Sequence, residues 1–521
     1  MIKRYFSLSL WILFCTISCR IKEEKDPIKD SALVQTDFKE AYRPQFHFSP
    51  REKWMNDPNG LVFHQGVYHL FYQYYPDDIV WGPMHWGHAV SNDLIKWEHK
   101  EIALYPDENG LIFSGSAVVD KHNSSGFGTL ENPPLVAIFT YHLMEGEEAG
   151  RNDYQTQGIA YSLDNGESWT KYEGNPVIGN SGIKDFRDPK VFWHEESSKW
   201  IMALVAGDHA KFYTSNDLKN WAYESDFGKE YGAHGGVWEC PDLFKLKTEG
   251  TDEEKWVLII SINPGAPNGG SGTQYFIGAF DGKSFTSNQK EAKWLDHGTD
   301  NYAGVTYNNV PDNERIFIGW MSNWDYARDT PTKTWRSAMT LPRKLSLAKV
   351  ENEYFLKNYP LKQLNTLIVE NNSKSVEVEK EHLFSFDNFN QSEVNFSTAQ
   401  SDFELIFSNE SSEELILKMD GENKVFTVNR EKSGIVNFEK SFASAHEMAI
   451  DHLIENQQYN IKVVLDWSSV EVFINDGQYV MTEQIFPTSN YTKLLIINKN
   501  IASSKLKLED FQINSIKSIW K

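Results

Sequence analysis

With 521 residues the chain is long enough for about two to four domains, each able to bury a core of its own. A formal charge of −22 excludes a nucleic-acid partner, which would require a basic face. Aromatic residues reach 14 %, with 17 Trp, a composition suited to a β-rich protein that packs indoles between sheets and offers others to a flat, uncharged ligand such as carbohydrate.

The N-terminus, MIKRYFSLSLWILFCTISC, sets Lys3 and Arg4 ahead of an apolar run of signal-peptide length, too short to span a bilayer comfortably. Its last four residues resemble a bacterial lipobox ending at Cys19, with Thr16 where Leu, Val or Ile is usual. Residues 1–19 are therefore expected to be a lipoprotein-type signal peptide with Cys19 as lipid anchor, and residues 20–41, charged and poor in apolar groups, a tether. An exported protein follows, on the cell surface or in the periplasm, touching membrane only through that lipid. Beyond this leader Cys240 is the sole cysteine, so no disulfide framework can form within the chain.

Residues 42–349 read as a repeat. GHAVSNDLIKWEHK at 87–100, GIAYSLDNGESWTKY at 158–172 and KFYTSNDLKNWAYE at 211–224 each combine an alternating strand, a Ser/Asp turn and a second strand opened by Trp. A fourth, YFIGAFDGKSFTSN at 275–288, has Phe285 in place of the Trp. Recurrence every 50 to 70 residues or so is the scale of a propeller blade. A stronger apolar strand precedes each hairpin, starting at Val67, Leu135, Lys199 and Lys255, and RIFIGWMSNW from Arg315 opens a fifth unit. Five units predict five blades. The segment before each apolar strand is then innermost and lines the channel: DPNGLVFH from Asp57, SGSAVVDKH from Ser114, DPKVFWHE from Asp188, ECPDLFKLK from Glu239 and YAGVTYNN from Tyr302. Alone, WMNDPNG at 54–60 is a turn. In this register it joins two further carboxylates, a hydroxyl pair and a tyrosine at one end of one channel.

Crowded carboxylates in a partly dry mouth cannot all ionise at ordinary cost, which separates an acid from a nucleophile. Glu239, between Trp238 and Cys240-Pro241, is the candidate acid on the strength of apolar neighbours. Asp57, with the Asn56 amide beside it, is the candidate nucleophile, and Arg187 would keep Asp188 charged if its guanidinium turned that way. Acid and nucleophile about 5 to 5.5 Å apart give retaining glycoside hydrolysis; about 6.5 to 9.5 Å gives inversion. No pattern calls for a cofactor or metal, and His85 and His88 in MHWGHA read as strand residues.

WMNDPNG, FSGS at 113–116, FRDP at 186–189 and WECPDLF at 238–244 together resemble glycoside hydrolase family 32, the β-fructofuranosidases (invertases, inulinases and levanases). The resemblance implies an all-β fold, a five-bladed β-propeller followed by a C-terminal β-sandwich. It implies Asp57 as nucleophile, Glu239 as acid/base and Asp188 as transition-state stabiliser, with Asn56, Gln73, Trp81, Ser114, Arg187 and Tyr302 around a terminal fructose. The stretch Ile318–Leu345 looks like the levanase and inulinase branch, with Trp320, Trp324 and Trp335 either edging the pocket or packing blades. The implied substrate is a fructan (levan or inulin) or sucrose, cleaved from chain ends with release of fructose.

After residue 349 the chain turns to shorter, polar-rich alternating segments with Asp-Gly turns. A linker at 350–370 and a sandwich at 371–521 are expected. The competing readings are an endo-levanase with an open cleft, a surface glycan-binding protein without catalysis, and a five-bladed arabinan-degrading enzyme. The second has no need of both Asp57 and Glu239, and the third no reason to carry WMNDPNG and WECPDLF together.

Overall fold

The computed structural model describes residues 37–450, 458–500 and 505–520. The expected signal peptide, Cys19 and most of the expected tether lie outside them.

The hairpin turns found in the sequence are built alike. In the first three the Asp side chain accepts backbone N–H groups: Asp93 from Ile95 and Lys96, Asp164 from Ser168, Asp217 from Lys219 and Asn220. Ser91, Ser162 and Ser215 each donate a hydroxyl to that carboxylate. In the fourth, Asp281 serves Lys283 and Ser284. An Asx turn of this kind reverses the chain without help from tertiary packing.

These hairpins belong to antiparallel sheets of four or five strands, ordered from an inner strand outward. The inner strands are β1 (Lys53–His64), β2 (Leu111–Val119), β3 (Phe186–His194), β4 (Val237–Lys247) and β5 (Tyr302–Thr306). Each touches the next, and β5 returns to β1, so the five sheets close around an axis as a propeller. Trp335–Arg336 from the fifth unit completes the closure, running parallel to β1 with Trp335 opposite Lys53. The second strand of a blade is covered on both faces by neighbouring blades. Leu135–His142 is accordingly buried at every residue, and its sequence is a continuous apolar run instead of an alternation.

The rest is a two-sheet sandwich. One sheet runs from Ile368–Val369 through Leu506–Ile516, Ser392–Thr398 and Tyr459–Asp466 to Tyr479–Gln484, and the other is centred on Asp402–Ser408 and Glu414–Asp420. Here the burial does alternate, as along Asp402–Ser408, because only one face meets the core formed by Phe389, Phe403, Phe407 and Val472.

The expected linker at 350–370 is mostly structured. Glu353–Pro360 is the outermost strand of the fifth blade, paired with Arg343–Val350, and Ile368–Val369 already pairs with Ile516 of the sandwich. An outer strand has one face in water, so its polar-rich sequence reads as a connection. His85 and His88 do lie in a strand, His85–Ser91.

Candidate active site

All five inner strands carry the same irregularity near their N-terminal ends. Two residues stand opposite one residue of the next strand: Asn56-Asp57 against Gln73, Phe113-Ser114 against Thr140, Asp188-Pro189 against Leu204, Cys240-Pro241 against Ile260, and Ala303-Gly304 against Gly319. A bulge re-aims the side chains beside it. Asp188, Cys240 and Ala303 have φ of 63°, 46° and 54°, a conformation that costs a non-glycine residue about 1–3 kcal/mol and that packing must hold. Pro189 and Pro241 occupy positions where a missing N–H does no harm, because the ladder is already interrupted.

The bulges turn Asp57, Asp188 and Glu239 into one cavity of about 520 Å³, also lined by Asn56, Gln73, Trp81, Ser114 and Arg187. The Asp57 carboxylate is fixed at both oxygens: Asn56 Nδ2 donates to Oδ1 at 2.8 Å and the Ser114 hydroxyl to Oδ2 at 2.7 Å. Trp54 explains why an indole precedes the turn, since its Nε1 donates to Asn56 Oδ1 at 2.7 Å and so fixes which end of the amide faces Asp57. Burial raises the Asp57 pKa and the Glu239 charge adds to this, while the Ser114 and Asn56 bonds oppose both.

Glu239 is held differently. Arg187 donates from Nε (3.2 Å) and Nη2 (2.8 Å) to Oε1, and the Tyr302 hydroxyl donates to Oε2. Its surroundings are thus a guanidinium and a phenol, in place of the apolar setting expected. The Arg187 fork spends its remaining bond on Asp185 Oδ1 at 2.8 Å and none on Asp188, against the orientation considered from sequence. Asp188 Oδ2 accepts the Cys240 N–H at 3.0 Å. Burial pushes Asp188 up to about 7, with Arg187 opposing the shift and the Glu239 and Asp57 charges adding to it. The crowding foreseen in the mouth raises both Asp57 and Asp188.

Comparison with known proteins decides the family. Residues 47–360 match the N-terminal domain of glycosyl hydrolases family 32, and residues 358–515 match the family 32 C-terminal domain. The chain belongs to glycosyl hydrolase family 32. It is 45 % identical to a levanase of Bacillus subtilis over 498 residues, 93 % of this chain and 72 % of that protein. It is 38 % identical to an extracellular exo-inulinase of Aspergillus niger over 532 residues, 93 % of this chain and 96 % of that one. The crystal structure of the exo-inulinase from Aspergillus awamori superimposes with a TM-score of 0.83 at 37 % identity, covering 93 % of this chain and all of that one. The β-fructofuranosidase from Schwanniomyces occidentalis complexed with fructosyl-erythritol gives 0.81 at 32 %, covering 93 % and 99 %. The propeller and sandwich described above are the fold of these family 32 structures.

Within this family 32 site, Gln73 lines the cavity and is buried, and its Nε2 has no hydrogen-bond partner. Tyr302 departs from expectation: it is 1 % exposed and lies behind Glu239, reaching the cavity only through that carboxylate. Of the three tryptophans in question, Trp324 lines the cavity, while Trp320 and Trp335 are buried in packing. Several lining residues were not anticipated. Phe113 forms an aromatic wall with Trp81 and stacks on His142, ring centroids 4.2 Å apart. His142 Nδ1 accepts from Gln155 Nε2 at 3.1 Å, which leaves its other nitrogen to donate to Glu147 at 3.0 Å. Asp185, Asp325 and Arg328 complete the rim. They sit at strand ends and on loops, where no periodicity marks them. Cys240, read only as an apolar neighbour, places Sγ 3.7 Å from Asp57 Oδ2 and 3.6 Å from Asp188 Oδ2.

Proposed function

We propose that the protein is an exported β-fructofuranosidase that removes fructose from the ends of fructans, and hydrolyses sucrose, with retention of configuration. The observation that carries this reading is the pair of carboxylates in one cavity with different partner sets. Asp57 is bound by neutral donors that aim both oxygens, as a nucleophile requires. Glu239 is bound by Arg187 and Tyr302, which position a carboxyl group that must give and take a proton.

In the first step Asp57 attacks the anomeric carbon of the terminal fructosyl unit while Glu239 gives a proton to the departing glycosidic oxygen. In the second, Glu239 takes a proton from water, whose oxygen displaces Asp57 and frees fructose. Asp188 faces the charge developing on the ring, held by the Cys240 N–H. Asn56, Gln73, Trp81, Ser114 and Arg187 surround the sugar, and Tyr302 positions Glu239. The exo-inulinase name of relatives such as that of Aspergillus niger supports release from chain ends.

The test is early-time chromatography of products from levan, inulin and sucrose, with Asp57→Asn as control. Fructose alone from the wild type, and none from a folded Asp57→Asn, is expected. A ladder of oligosaccharides would replace the exo reading with endo action, and turnover by Asp57→Asn would remove Asp57 from the nucleophile's role.

A further inference from the structure

The opposite mouth of the propeller holds a second cavity, of about 240 Å³, at the C-terminal ends of β2 and β3 and just beyond β5. It is separate from the fructoside site, which lies at the N-terminal ends of the same strands. Between the two, Lys190 Nζ meets Asp242 Oδ2 at 3.0 Å, and the Asn308 amide donates to the carbonyls of Ala117 (2.8 Å) and Val191 (3.0 Å). The axis is stoppered by these bonds.

Arg315 forms part of the cavity wall. Its Nε is buried without a hydrogen-bond partner, and no described residue forms an ion pair with it. Its Cζ lies 5.7 Å from the centroid of the Phe244 ring. The carboxylate it feels is Asp242, whose Oδ2 is already taken by Lys190 and by the N–H and hydroxyl of Thr306. Lys190, which is buried, and Arg315, which is partly exposed, thus share one carboxylate. A positive charge is left unmatched inside a chain whose formal charge is −22. Holding an unpaired guanidinium partly out of water is costly, and a water bridging from its buried Nε to Asp242 Oδ1 would satisfy hydrogen bonds without supplying charge. Burial accordingly lowers the Arg315 pKa. At the rim, Lys121 and His122 are exposed, and Glu195, the acidic residue among those described as lining the cavity, accepts the Trp193 Nε1–H at 3.1 Å.

We propose that this cavity binds a small oxyanion, a phosphate or carboxylate group, on the Arg315 guanidinium with Lys121 at the rim. A guanidinium fork matches the oxygens of such a group, and the match gains strength out of water. The partly exposed Trp193 ring, beside His122 at 5.1 Å between centroids, offers a flat face for a sugar ring carrying the anion.

The proposal is independent of the fructoside site and is tested apart from it. Inorganic phosphate and glucose 6-phosphate are titrated calorimetrically into the purified protein, with fructose present in excess to occupy the catalytic cavity. One saturable site per chain is expected, weakened at least tenfold by Arg315→Gln and several-fold by Lys121→Gln, with sucrose hydrolysis unchanged in both variants. Tighter binding of the hexose phosphate would assign the ring to Trp193, and equal binding would confine recognition to the anion. Lys121 is exposed, so its variant folds whether or not the Arg315 variant does. Absence of saturable binding, or binding that neither substitution weakens, would overturn the proposal.

Discussion

At Asp57 two sets of forces oppose one another, and burial prevails. Burial and the Glu239 charge favour the protonated acid, whereas the Ser114 and Asn56 bonds favour the anion. With Asp57 as the proposed nucleophile, attack requires the anion, so kcat/KM should fall as pH drops through the raised Asp57 pKa, with the acid limb of the profile above the range of an ordinary carboxylate. Ser114→Ala removes one of the bonds holding the pKa down. The limb should move to still higher pH, and kcat/KM at its optimum should fall roughly 10- to 100-fold, the scale of losing a hydrogen bond to a charged group. Sucrose hydrolysis followed from pH 3 to 8 checks this. A limb that stays in place while kcat/KM falls would mean that Ser114 binds sugar and leaves the nucleophile unaffected.

The bulged inner strand is the element that gathers the candidate active site from a β-sheet, and Gly115 shows how narrowly β2 fits. A Cβ there would stand 2.0 Å from the Ile138 carbonyl oxygen and 2.7 Å from Phe139 Cα, backbone atoms that cannot step aside. Gly115→Ala should therefore displace β2, costing about 1–3 kcal/mol as overpacking does. Ser114 should move with it, depressing kcat/KM even at temperatures where the protein stays folded. Gly179, with open space around it, is the control, and Gly179→Ala should be neutral in melting temperature and rate. Equal effects of the two substitutions would show that the bulge tolerates movement. The blades were legible from sequence because buried second strands such as Leu135–His142 are continuously apolar and the Ser-Asp turns repeat. The candidate site was legible in that one register puts Asp57, Asp188 and Glu239 at equivalent strand entrances, and the three line one cavity. The bulges were signalled only indirectly, by prolines at positions 189 and 241 inside what otherwise reads as central strand. The partner of Arg187 was not legible, since a guanidinium can turn to either neighbour and only the fold brings Glu239 within reach. Nor was the outer strand Glu353–Pro360, whose solvated face imitates a linker.

Across the whole molecule, propeller and sandwich are joined by buried charge as well as by apolar packing. Arg343 donates to Asp296 (2.9 Å) on the propeller side and to Glu471 (3.0 Å) on the sandwich side, and Arg430 of the sandwich reaches Asp300 at 2.7 Å. His47 extends the first network, its Nδ1 2.7 Å from Asp466 and its Nε2 3.0 Å from Glu471. Carboxylates only accept, so both ring nitrogens must carry protons and the buried ring is an imidazolium. Burial alone would lower its pKa, but the bonds to Asp466 and Glu471 prevail and raise it to about 9. A folded-state pKa above the unfolded value near 6.5 contributes stability that is complete below about pH 6.5 and disappears as pH rises through 9, in all about 3 kcal/mol. The charged groups facing His47 are Asp466 and Glu471, with Arg343 beyond Glu471, and Arg343 keeps its charge throughout this window. Denaturation midpoints measured at pH 6, 7.5 and 9 should fall for the wild type. His47→Gln should start lower at pH 6, with two carboxylates left short of a donor, and then change much less. Parallel decline in the two proteins would place the titrating group somewhere other than the His47 junction.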